Sequence, residues 1–116
     1  MEKPLPASSP DWLDVVTHRF RSIRAPFLLI LQHQDIAWPK RLAAPISLPI
    51  KGDSDHVAPR LSLDGIEYRV RILDMGPVSR NMFMAIVTSA AGEREGIMNA
   101  LDCVLYGYPV GRAAPN

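Results

Sequence analysis

The chain has 116 residues, 47% hydrophobic and 22% charged, and a net charge of +1. That is enough for one domain with one modest core, and the balanced charge excludes bulk attraction to nucleic acid or to a membrane surface. A single cysteine, Cys103, excludes an intrachain disulfide, and no apolar run approaches a membrane span, so a cytoplasmic protein is expected.

Residues 1–10, MEKPLPASSP, have no apolar period and no apolar h-region, so a flexible leader and no signal peptide are expected. The 11 prolines are spread along the chain, which argues against a helix-rich fold and for short strands joined by turns. Residues 13–20, LDVVTHRF, are β-branched enough for a first strand. Residues 27–31, FLLIL, form a continuous apolar run, as expected of a strand covered on both faces. The two form a hairpin with Arg19, Arg21 and Arg24 near its tip. A solvated tip is the simplest reading, and phosphate contact is the other.

Residues 32–40 break the apolar run and read as a loop. Ile36 and Trp38 in it offer a contact surface, or Trp38 lids the edge of the core. Residues 41–50, RLAAPISLPI, are extended, and Pro45 and Pro49 predict an edge or a bulged strand. Residues 51–57, KGDSDHV, are turn material. Asp53, Asp55 and His56 lack a fourth ligand at useful spacing, so no metal site is expected.

The clearest local signal is Asp64-Gly65 between residues 60–63 and 66–73, a two-residue hairpin turn in which both central residues need positive φ. Beyond it, Ile66, Tyr68, Val70 and Ile72 alternate with Glu67, Arg69 and Arg71, predicting a half-buried strand whose charged face is solvated. Met75-Gly76-Pro77 is expected to turn the chain, and residues 82–88 to form a last strand. A helix follows at about 93–106, with Ile97, Ala100, Leu101, Val104, Leu105 and Tyr108 on one stripe. Gly92 is a weak N-cap, Gly107 a stop signal, and Pro109 opposes continuation. Asn99, Asp102, Cys103 and Tyr106 lie on a second face. Residues 109–116 are expected to be a flexible tail.

Alternating βαβ units are missing, so a doubly wound fold is excluded. The expected fold is mainly β with a C-terminal α-helix: one small barrel of short antiparallel strands over residues 11–108, with a two-fold dimer as the commonest assembly. The chain has no Gly-rich phosphate loop, no nucleophile elbow and no HExxH, and no cofactor is expected. His18 beside Arg19 and Arg21 is the one pairing with a catalytic logic, that of a ribonuclease. In a strand, however, His18 and Arg19 point to opposite faces.

Four segments in order, FLLILQHQDI at 27–36, RLAAPI at 41–46, VAPRLSLDGIEYRV at 57–70 and NALDCVLYG at 99–107, give the chain a resemblance to the CcdB toxins. These are the gyrase-poisoning halves of toxin–antitoxin pairs. The resemblance implies an SH3-like barrel of the type shared with the MazF ribonucleases, a homodimer, and no enzymatic activity. It implies that the helix end binds the DNA gyrase A subunit and traps the cleavage complex. The matching positions here are Tyr106, Gly107 and Tyr108, with Asp102 on the helix and His33 and Ile36 in the first loop. It also implies a cognate antitoxin whose disordered tail neutralises the toxin, and DNA contact only through the toxin–antitoxin pair, which represses its own promoter. The sequence departs from the family where Tyr106 replaces the helix-end tryptophan and Tyr108 the terminal aliphatic residue. It also extends past the usual end, as PVGRAAPN. The alternatives are a MazF-like endoribonuclease on the same barrel and a non-toxic CcdB-like interaction or regulatory protein.

Overall fold

A computed structural model describes residues 10–19, 25–36 and 38–107. The strands are β1 (Asp14–His18), β2 (Phe27–Ile30), β3 (Lys40–Ser47), β4 (Arg60–Leu63), β5 (Ile66–Val70), β6 (Gly76–Ser79) and β7 (Phe83–Ser89). The helix α1 spans Arg94–Tyr106, after a 3₁₀ turn at Ala91–Glu93. The sheet order is β4-β5-β3-β2-β1-β7, with β6 also paired to β3, and every pairing is antiparallel. Strands β6 and β7 follow each other through the 3₁₀ turn Arg80–Met82, yet β6 pairs with β3 and β7 with β1. The sheet therefore curls back on itself, as expected of a mainly β chain with one C-terminal helix.

Strands β1 to β3 have buried apolar residues on both faces, as the consecutive pairs Val15-Val16, Leu28-Leu29 and Ala43-Ala44 show. Val15, Leu29, Ala44 and Ile46 point to one core, which Leu61, Tyr68, Val70, Ile72, Ile97 and Ala100 complete. Val16, Leu28, Ile30 and Ala43 point to the other, closed by Phe83 with Val78 and Ile86. The helix belongs wholly to the first core: Ile97 and Ala100 are fully buried, and Leu101 and Val104 pack partly against it.

Several expectations are corrected. Strand β3 is not an edge: it pairs with β2 on one side, and on the other with β6 through residues 40–43 and with β5 through 46–47. Pro45 falls at the junction of those two partners, where a missing N–H costs no ladder bond. Its carbonyl, on the same side, accepts the N–H of Arg71 at 2.7 Å. Met75-Gly76-Pro77 is not the turn. The chain does not reverse there: β5 and β6 both run antiparallel to β3, so the 3₁₀ turn Ile72–Asp74 makes an offset after which the chain continues along β3, and Gly76 already pairs with Ala43. Gly92 is not the helix cap, because Ala91–Glu93 make a 3₁₀ lead-in and Glu93 stands at the N-cap without a side-chain bond. Pro10, placed in the leader, is fully buried. Residues 1–9 and 108–116, with Arg21, Arg24 and Tyr108, lie outside the described residues.

Asp64 and Gly65 have φ of 51° and 78°, the positive pair the hairpin turn requires. Leu13 also has positive φ, 69°, unusual for a branched side chain. The twist lets it serve both neighbours of β1: its N–H reaches the Ile30 carbonyl and its own carbonyl accepts the Ala90 N–H.

Because Ile97 is fully enclosed between helix and sheet, Ile97→Ala is expected to destabilise the fold by about 2–5 kcal/mol. Urea unfolding checks this, as a lower midpoint at unchanged slope.

Candidate functional site

The end of α1 is set by Gly107. At φ 88° it leaves the helix in the left-handed region, and its N–H caps the Cys103 carbonyl at 2.8 Å. Leu105 is 61% and Tyr106 65% exposed. Asp102 and Cys103 are half-buried on the preceding turn. The Cys103 thiol lies 3.9 Å from the Gly107 carbonyl. The helix tip thus presents an aliphatic and an aromatic side chain beside a residue without one.

The loop between β2 and β3 is organised from inside by Arg41. This side chain is 1% exposed, on the same face of β3 as Ala43. Its Nη1 donates to the carbonyls of Ile36 at 2.9 Å and His33 at 3.5 Å, and its Nη2 donates to Gln34 at 2.9 Å. Burial and the nearby Arg80 lower the Arg41 pKa, and Asp11 opposes them. Asp11 tethers the loop from outside: its Oδ1 accepts the Gln34 N–H at 3.2 Å and lies 3.9 Å from His33 Nδ1. The Trp12 N–H first, and then the Gln34 N–H and His33, hold the Asp11 carboxyl below the usual carboxylate range. With its backbone spent inward, the loop turns Ile36 and Trp38 outward, 46% and 38% exposed. Trp38 is therefore surface rather than a lid.

The expected site residues fall in two places. The His33 ring packs against Trp12 at 5.2 Å, tilted by 37°, and Trp12 carries the guanidinium of Arg94 over its ring at 5.1 Å. That chain of contacts leads to the first turn of α1. Tyr106 and Gly107 close its last, about 18 Å further along the axis. Asp102, Tyr106 and Gly107 thus share the helix end. His33 and Ile36 share the Arg41 loop. Tyr108 lies outside the described residues.

The charged face of β5 is a correction. Glu67 is exposed, but Arg69 is buried and Arg71 nearly so. The segment read as turn material covers them. Arg71 pairs with both oxygens of Asp53 and donates to Ser47 Oγ at 2.6 Å and to the Leu48 carbonyl at 2.8 Å. Arg69 pairs with Asp55 and donates to the Ala58 carbonyl at 2.9 Å. Asp53 also accepts the Ile50 N–H at 2.8 Å. The carboxyl of Asp53 is held low by Arg71 first and the Ile50 N–H second, and that of Asp55 by Arg69. A pair of arginines two apart on a strand, matched by a pair of aspartates two apart in a loop, was the available signal. Among the described residues, no group of three or more His, Cys, Asp or Glu is placed to hold a metal ion. His18 Nε2 lies 3.1 Å from the Ala25 carbonyl, and Arg19 donates to the Asn81 carbonyl at 2.7 Å. Both groups of the candidate ribonuclease pair are thus tied to backbone.

No helix among the described residues is long and apolar enough to cross a membrane. In comparison with known proteins, the chain matches no family model and no curated protein.

Two outcomes follow from these anchors. Arg41→Leu is expected to cost about 1–3 kcal/mol, and hydrogen exchange at residues 33–36 should quicken more than elsewhere in the sheet. For the β5 cover, Asp53 and Asp55 stay charged in the fold at pH values where the unfolded chain already binds protons. Their contribution is complete above the ordinary carboxylate pKa of 3.8 and disappears as pH falls through the lowered folded-state values. Asp53→Asn should therefore be less stable than the parent at neutral pH, and its stability should fall less steeply between about pH 5 and pH 1. Unfolding curves across that range provide the check.

Proposed function

We propose that the chain is a CcdB-like, SH3-like-barrel toxin that acts as a homodimer in the cytoplasm. It binds the DNA gyrase A subunit and is neutralised by a cognate antitoxin. The observation that carries this reading is the helix tip: Leu105 and Tyr106 stand more than half exposed at a glycine-capped end. Aromatic anchors of this kind dominate protein–protein contacts. Trapping a cleavage complex asks no chemistry of the toxin, only higher affinity for the cleaved, open state of the enzyme. Two tips related by a two-fold axis suit a two-fold target and add avidity. In this reading Asp102, Tyr106, Gly107 and Tyr108 make the principal contact. Ile36 and His33 make a second one, on a loop that Arg41 keeps rigid.

Purified protein is expected to inhibit gyrase supercoiling and to accumulate cleaved DNA, leaving RNA intact. Tyr106→Ala should weaken the inhibition about thirty-fold, the effect of losing about 2 kcal/mol at a hot spot. Gyrase that is untouched by a large excess of protein overturns the reading, and degraded RNA points to the ribonuclease instead.

A further inference from the structure

Strands β4 and β7 are the two ends of the sheet, and among the described residues each has one side without a partner strand. The curl brings them together across a groove of about 410 Å³. On one wall stand Ser62, Leu63 and Asp64, and on the other Val87, Ser89 and Glu93.

The ladders show which backbone groups are unused. Leu63 and Ile66 close the two-residue hairpin, and the Val70 N–H reaches the Pro59 carbonyl at 2.9 Å. Residues 59, 61 and 63 therefore bond toward β5, and by alternation the N–H and C=O of Ser62 point away from it. On β7, Ala90 donates its N–H to Leu13 at 2.7 Å. Thr88 is in phase with Ala90, so the peptide groups of Ser89 point away from β1. Each wall thus offers a donor and an acceptor in the direction that a further strand would use.

The charges are one-sided. Asp64 and Glu93 are both in the lining, no Lys or Arg is, and neither carboxylate has an ion-pair partner among the described residues. An acidic groove between open strand edges fits an extended cationic segment. The backbone of such a segment completes the ladder while its basic side chains meet the carboxylates. We propose that the β4–β7 seam is a docking groove for an extended, lysine- or arginine-bearing segment of a partner protein. This surface is separate from the helix tip and does not depend on the gyrase reading.

The probe is a fluorescein-labelled heptapeptide of alternating valine and lysine, titrated into the full chain and followed by anisotropy. Two control peptides replace lysine by glutamate or the central residue by proline. The lysine peptide is expected to bind at least about tenfold tighter than either control. It should weaken with added salt, and by about tenfold in the Asp64→Asn, Glu93→Gln double variant. Asparagine accepts the positive φ at position 64, so that variant keeps the turn. Hydrogen exchange should show the amides of Ser62 and Ser89 protected by the peptide. Four results would each overturn the proposal. They are no anisotropy change up to about 1 mM peptide, equal binding of the glutamate peptide, affinity unchanged in the double variant, or protection confined to other strands. A chain whose self-association buries the same amides would also overturn it, since the seam would then belong to a second copy.

Discussion

The fold depends on how one strand divides its edge. Strand β3 pairs with β2 along one side and must serve both β5 and β6 along the other. Two strands cannot occupy the same stretch of ladder, so a gap of about two residues separates them, and Pro45 stands in it. A residue with an N–H there would point an unpaired donor into a covered sheet. Proline removes the donor and fixes φ, and its carbonyl is still used by Arg71. From this division the two cores follow. The β5 side brings the hairpin and then the helix to one face of the sheet. The β6 side returns the chain to β1 and encloses the other.

With both faces of the central strands taken up by these cores, little apolar surface is left to hold the connecting loops. Arginines do that instead. Arg41 reaches out from β3 to carbonyls of the 33–36 loop, and Arg69 from β5 and Arg71 just after it to the segment at 48–58. Desolvation of a buried guanidinium offsets most of what its hydrogen bonds gain, and taking it away leaves the carbonyls it held without a donor. Its effect is therefore to define one loop conformation. That matches the loops themselves, which direct Ile36, Leu48 and Ile50 to the surface. Loops with outward apolar side chains are fixed only if something polar grips their backbone from within.

What the sequence showed and what it hid divide along the same line. β-Branched content located β1, period-2 and continuous apolar runs located β2, β5 and β7, and the Asp64-Gly65 turn and the Gly107 stop were explicit, but Leu105, expected on the packed stripe, is exposed because the sheet ends under Val104. These signals are local. Strand β6 was hidden because Gly76-Pro77 are turn residues in most settings. Here they form a strand only because the 3₁₀ turn before them delivers the chain alongside Leu42 and Ala43. Arg69 and Arg71 looked solvated because alternation reports which face a residue is on, not what covers that face. The cover lies some fifteen residues upstream, in a segment without any period. At the helix tip, the exposure of Tyr106 followed from helical phase. The separation of His33 from that tip did not, since it is set by Trp12, a residue with no periodic role.

The buried part of the α1 stripe is Ile97 and Ala100, with partial cover over Leu101 and Val104. Beyond Val104 the helix continues without support from the sheet. Isolated helical turns are unfavourable in water, and exposing Leu105 and Tyr106 adds apolar surface without core burial. The Gly107 cap offsets part of that cost by satisfying the Cys103 carbonyl, but a helix stopped at Val104 would need neither the cap nor the two side chains. A core alone does not account for the extra turn. In the reading proposed above, the burial missing within the chain is regained when a partner covers the tip.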